Sequence, residues 1–493
     1  MNSCFKSCIL GAMLLLGIQS FSQDNAFLSR DFWKSKPDVA VVKAKIAEGN
    51  DPAQANANNF DAVVYAILEG APFNTIVYLM SQEGNGVNKL THDGRTYIFW
   101  AAYKGNTEVM EYLLQHGAKT DIKDDKGNTI LNFAASSGQK NTQVYDLCLA
   151  NGANLKKDLT PNGANALLLV APNDYDFQLV QYFQKKGLDI NSVDGDGNGI
   201  FNYVARTGNL EALKALQARG ITGNNQAFMF AAYGTRGKTN GIEVYKFLEE
   251  QGLNPNVINR EGQTPLHILA SRSKDEELIN YLLEKGLDVN EEDHDGNTAF
   301  MNAAYRNSLD MVQLLSKNLK DINHANKKGQ TALFYAVKGN TVEVVDFLLK
   351  RGAKIDIVDT EGNSLVYALV NSYSKRNPKG FSEKLSSLEK HGLQLGQTQK
   401  NGNTWYHMSV EKGILEVLKM AAEMKIDVNA KNGEGNTALH LAAMKASDDS
   451  IMKFLVAQGA NRTLMTEFEE TAYDLAQENE LLKSNNISIE FLK

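Results

Sequence analysis

The sequence is poor in the residues that build a disulfide-stapled, a membrane-spanning or a metal-centred protein. Only three cysteines occur in 493 residues, and two of them are Cys4 and Cys8. Cys148 alone remains beyond the amino-terminal segment, so no disulfide can form within the body of the chain. Cys148 aligns with Leu113, an apolar position, which implies a packed thiol and not a reactive one. No Walker A loop, HExxH, G-x-S-x-G or paired C-x-x-C occurs, which removes the common motif-borne chemistries. After residue 22 no apolar stretch approaches the roughly 20 residues that cross a bilayer. Positive charge is in deficit: 51 Lys and Arg against 58 Asp and Glu give a formal charge of −7. A nucleic-acid partner is therefore not expected.

What the chain does have is one phrase, repeated. Asp93-Gly94-Arg95-Thr96, Lys126-Gly127-Asn128-Thr129, Asp295-Gly296-Asn297-Thr298 and Glu434-Gly435-Asn436-Thr437 are four instances. Its Gly position falls at residues 59, 94, 127, 163, 197, 224, 262, 296, 329, 362, 402, 435 and 469, with Asn or Glu replacing Gly at 59, 224 and 469. A period of about 33 residues means one small supersecondary unit stacked many times, so the fold is a solenoid. Within a unit the Gly step is turn chemistry and the Thr is an N-cap candidate. Paired alanines such as Ala303-Ala304 in the first helix let neighbouring helices approach closely. A second helix shows one apolar face, as at Val344, Val345, Leu348 and Leu349, and Gly352 ends it.

This turn-helix-turn-helix plan closely resembles the ankyrin repeat. The resemblance is carried by Gly262-Gln263-Thr264-Pro265-Leu266-His267, by Gly435-Asn436-Thr437-Ala438-Leu439-His440-Leu441-Ala442-Ala443, and by second halves such as Tyr281-Leu282-Leu283-Glu284-Lys285-Gly286. It covers residues 58 to 480. The expected fold is all-α, a solenoid of about 12–13 helix-turn-helix units with short β-hairpin connections. Residues 23–57 form an N-terminal cap with a degenerate repeat, and 467–493 a C-terminal capping repeat. The unit after Gly197 is short and the next carries an insertion, which predicts two sub-stacks, 58–222 and 223–466. A second insertion, Ser372 to Gly380, is basic.

The first 22 residues read as a secretory signal peptide: Lys6, the apolar run Ile9–Ile18, and a small-x-small site at Ser20-Phe21-Ser22. The expectation is export to a Gram-negative periplasm, or secretion, with cleavage near Ser22–Gln23.

The resemblance implies a non-enzymatic interaction protein, expected as a monomer, that binds a protein partner on a concave face. The variable positions after the paired alanines supply the candidate anchors: Tyr103, Lys104, Arg206, Tyr233, Arg272, Tyr305 and Arg306. Tyr and Arg are enriched at binding hot spots. Acidic hairpin tips such as Asp124-Asp125 and Glu291-Glu292-Asp293 would steer the encounter. No cofactor and no metal is expected. The rival reading is a Ca²⁺-dependent protein or an enzyme built on the central units, or a secreted effector that binds a host protein. Asp194-Gly195-Asp196-Gly197-Asn198-Gly199 imitates an EF-hand start, but Ala205 stands where the bidentate Glu belongs. His267, His407 and His440 share one repeat position, and the family pattern implies a backbone hydrogen bond there in place of a metal ladder. Tyr65, Trp100, Phe133, Tyr203, Phe230 and Tyr335 form an aromatic stripe expected to pack in the core.

Overall fold

Thirteen-fold repetition in sequence becomes, in a computed structural model, a succession of antiparallel helix pairs. The structure describes residues 25–493, so the expected signal peptide and its cleavage site lie outside the described residues. Two compact units divide between Ile200 and Phe201. The sequence placed the division later, at 222/223. The short repeat belongs with its C-terminal neighbour because three contacts reach forward. Asn202 Nδ2 donates to Asn224 Oδ1 at 2.6 Å, and Tyr203 packs on Phe230 at 4.9 Å. The Arg206 Nε donates to the Gly234 carbonyl at 3.0 Å.

In the first unit, a buried Phe27–Trp33 stack and the helix Val39–Ala47 precede the pairs Ala62–Glu69 with Phe73–Met80, Tyr97–Lys104 with Thr107–Gln115, and Ile130–Ser136 with Thr142–Ala150. The unit continues through Ala166–Val170 and Gln178–Lys185. In the second, regular pairs run from Ala227–Tyr233 with Ile242–Glu250 to Ala472–Glu478 with Glu480–Ser484. Within each unit first helices pack on first helices and second on second.

The local causes recur from repeat to repeat. Thr298 caps the helix Ala299–Arg306 by accepting from the Met301 N–H, an N-cap worth about 1 kcal/mol. That helix buries Ala299, Phe300, Met301, Ala303 and Ala304, and the alanines are what permit close stacking. The second helix Val342–Lys350 buries only Val344, Val345 and Leu348, so one face stays with solvent. In the turn, Asp293 Oδ1 accepts from the N–H groups of Asp295 at 2.9 Å and Asn297 at 2.8 Å. Gly296 has φ +79°, and a Cβ there would stand 3.0 Å from Lys327 N. Backbone conformation and the next turn both demand glycine.

The expected hairpins are reduced to single bridges, such as Glu292 with Thr298 and Val358 with Ser364, and no strand forms among the described residues. The turns spend their hydrogen bonds on each other: Lys327 N donates to Asp295 O at 2.9 Å, and Thr360 N to Lys328 O at 2.9 Å.

Candidate interaction surface

The shared histidines are structural. In His267 the Nδ1 accepts from the Thr264 N–H at 3.1 Å, completing a capping box, while Nε2 donates to the Glu291 carbonyl at 2.9 Å. His407 reaches Asn436 O and His440 reaches Leu464 O, each at 2.9 Å. Each ring thus bridges its own cap to the next repeat. Burial pushes all three imidazoles below the usual histidine range.

The EF-hand-like string is a repeat turn. Asp194 Oδ1 accepts from Asp196 N and Asn198 N, both at 2.9 Å, and both its oxygens lie near the Asn198 amide. Asn326 and Asn432, which carry no charge, hold the same turn in their repeats. The geometry therefore requires a side-chain acceptor and not an anion. Among the described residues no group of three or more His, Cys, Asp or Glu could hold a metal. Cys148 is buried, and burial raises its thiol to about 12.

The aromatic stripe is partly core. Tyr65, Trp100 and Tyr203 are buried, whereas Phe133, Phe230 and Tyr335 are half-buried. Its polar atoms have a register that the sequence reading missed. Asn56 donates to Tyr65 Oη, Trp100 Nε1 donates to Thr91 Oγ1 at 2.8 Å, and Asn326 donates to Tyr335 Oη. Each links a first helix to the turn residue nine positions earlier.

The predicted anchors fall at the C-terminal ends of the first helices. In the first unit Tyr103 is 40% exposed and Lys104 is exposed, at the end of a helix whose other six residues are buried. The Tyr103 ring stacks on Phe133 at 5.8 Å and meets the edge of Trp100 at 6.5 Å. Beneath them lies Arg95, only 6% exposed, with its guanidinium 4.1 Å from the Phe133 centroid. Its Nη2 is 2.8 Å from Asp124 Oδ2 and its Nη1 3.0 Å from Asp93 Oδ2. Phe60 and His92, stacked at 4.5 Å, extend the cluster. Neither was singled out from sequence, because both sit in turns and only the fold brings them against Trp100.

In the second unit Arg206, Tyr233 and Arg272 converge on one loop. Arg206 donates to Gly234 O, while Arg272 donates to Tyr233 O at 2.5 Å and Thr235 O at 3.2 Å. The Tyr233 hydroxyl accepts from Asn259 at 2.9 Å, which leaves that ring half-buried. Both arginines therefore hold the loop in shape while remaining exposed. Tyr305 packs edge-to-face on Tyr335 at 5.7 Å, and the exposed Arg306 guanidinium lies 4.7 Å from its ring. Gly339 admits Tyr305: a Cβ at 339 would be 2.2 Å from Tyr305 Cε2.

Comparison with known proteins agrees with this architecture. A family model described as "Ankyrin repeats (3 copies)" matches residues 63–158, 228–326, 268–359, 301–377 and 376–466, and "Ankyrin repeats (many copies)" matches 168–217. The chain is 25% identical over 274 residues to the E3 ubiquitin-protein ligase KEG of Arabidopsis thaliana, covering 52% of this chain and 16% of that protein. It is 25% identical over 279 residues to the human transient receptor potential cation channel subfamily A member 1, covering 53% and 24%. It thus spans less than a quarter of either relative. The putative ankyrin repeat protein FPV230 of fowlpox virus is 29% identical over 186 residues, covering 36% of this chain and 93% of the viral one. The human ASB11 ankyrin repeat domain has a TM-score of 0.38 at 21% identity, covering 45% of this chain and 97% of the domain. The chain belongs to the ankyrin repeat family.

Proposed function

We propose that this protein is a non-enzymatic interaction scaffold that binds a protein partner through the exposed ends of its first helices. The supporting observation is Tyr103. A large aromatic ring stands 40% exposed on a platform of Trp100 and Phe133, at the end of an otherwise buried helix. Rigid aromatic groups lose little conformational entropy on binding, and the repeat stack holds them in place beforehand. Tyr305 with Arg306, and Arg272 with Tyr233, repeat the combination in the second unit. Export to the periplasm, or release from the cell, belongs to the same proposal and is supported by the apolar run Ile9–Ile18 behind Lys6.

The test is affinity capture from the exported fraction of the native organism, with residues 23–493 as bait. Tyr103→Ala/Arg306→Ala serves as control, with unchanged helical content and melting temperature required of it. A protein held by the wild type and released by the variant supports the assignment. A partner held equally by both contradicts it.

A further inference from the structure

The second unit carries an edge whose positive charge has no internal purpose. Its loop between Tyr233 and Asn240 is longer than the repeat requires and closes through the Thr235–Lys238 bridge. Arg206 and Arg272 fix it from the two neighbouring repeats. The loop tip then presents Arg236 and Lys238, both exposed, and neither side chain enters an ion pair or hydrogen bond among the described residues. A second enlarged loop joins the same two helices of a later repeat and carries Lys375 and Arg376, with Lys379 in the first turn of the helix Pro378–Lys390 that follows. Neither insertion contains a carboxylate, although the chain as a whole has a net charge of −7. Between them the first helices end in Arg306 and Lys338.

Elsewhere in this unit several lysines do pair with carboxylates across neighbouring repeats. Lys320 pairs with Asp288 at 3.0 Å, Lys400 with Glu361 at 3.1 Å, Lys246 with Glu277 at 3.5 Å, and Lys285 with Glu249. Among the described residues, Lys379 is the only base of the two insertions that pairs with a carboxylate, Glu383 at 3.2 Å. The carboxylates that begin the second helices are in part committed: Asp275 caps its own helix through the Leu278 N–H. Beyond the second insertion the edge becomes mixed, because Glu411, Glu416 and Asp448 line a groove with Lys375, Lys412 and Lys445. The two carboxylate-free loops, around Arg236 and around Arg376, therefore mark the ends of the basic edge.

We propose that this edge docks an extended acidic segment of the partner polypeptide, its carboxylates engaged by the two basic insertions. The inference rests on the interaction-scaffold reading and names the chemistry of the partner. Four repeats separate the insertions. At roughly 8–10 Å per packed helix they span about 32–40 Å, the reach of about a dozen extended residues.

The test uses a fluorescein-labelled peptide of about sixteen residues with Glu at alternate positions, its Lys counterpart, and phosphatidylglycerol vesicles. Protein comprising residues 23–493 should bind the Glu peptide and release it as salt rises from about 50 to about 300 mM, as screened charges require. Arg236→Gln/Lys238→Gln leaves both clamping arginines in place. Combined with Lys375→Gln/Arg376→Gln, it should weaken binding about tenfold or more. Lys350→Gln/Lys390→Gln, exposed positions on second helices, should leave it unchanged. Absent Glu-peptide binding, equal loss in both variants, or preference for the Lys peptide would overturn the proposal. Binding of the vesicles alone would overturn it in favour of a lipid surface. A captured protein partner that Tyr103→Ala alone releases and the basic substitutions do not would remove this inference and leave the scaffold reading intact.

Discussion

Lys384 offers a quantitative test of how the second insertion is anchored. It lies in the helix Pro378–Lys390, only 5% exposed, and its Nζ donates to the Val337 carbonyl at 2.7 Å. That carbonyl belongs to the last turn of the helix Ala332–Gly339, so the lysine caps a neighbouring helix. Burial lowers its pKa from the ordinary 10.5 to about 8. At 1.36 kcal/mol per pH unit this costs about 3 kcal/mol while the ammonium is charged in both states. Because the unfolded lysine is still mostly protonated at pH 10, about 2 kcal/mol of this cost is recovered between pH 7 and pH 10. The folded value lies below the unfolded one. Stability from this group is therefore complete above about pH 10.5 and is lost as pH falls through that value toward 8. Trp405 reports locally, since it is fully buried and its ring meets Phe381 of the same helix at 6.3 Å. In a Trp33→Phe/Trp100→Phe background, urea unfolding read by Trp405 should show about 2 kcal/mol more stability at pH 10 than at pH 7. Lys384→Met should remove that difference. An identical pH response in wild type and Lys384→Met would refute the reasoning.

Three further outcomes are expected from the same contacts. The imidazoles of His267, His407 and His440 lie below their unfolded value, so the stability they contribute is present above about pH 6.5 and lost as pH falls through it. Melting temperature should drop between pH 7 and 5, and His407→Gln/His440→Gln should flatten that drop while costing about 1–3 kcal/mol at pH 7. Gly339→Ala should destabilise its repeat by about 1–3 kcal/mol, because the added Cβ meets Tyr305, and Tyr305→Ala should restore part of the loss. Cys148 in residues 23–493 should be inert to a disulfide reagent at pH 8 and react once urea unfolds the chain, as burial of its thiol requires.

The fold was legible because each repeat states its own turn, cap and helix. Thr264 with His267 and Thr437 with His440 encode a capping box within four residues, and the structure realises both. Contacts between repeats were less legible. The link from Trp100 to Thr91 spans nine residues and needs the turn to fold back over the helix. The arginines at 206 and 272 fill the expected positions, but their partners are carbonyls of an insertion, for which the repeat offers no template. The same loop explains the displaced boundary: Arg206 reaches forward to Gly234 and draws the short repeat into the second unit. The aromatic cluster was half visible, with Tyr103 named from its position and Phe60 and His92 hidden in turns.

Site-specific photocrosslinking tests the central claim most directly. A photoreactive residue would be placed at Tyr103, Lys104 or Arg306, and at the exposed second-helix positions Glu111, Glu284 and Lys350. Crosslinks to one partner from the first set and none from the second are the expected result. Crosslinks confined to the second-helix positions would show that the partner binds the opposite face and would contradict the account.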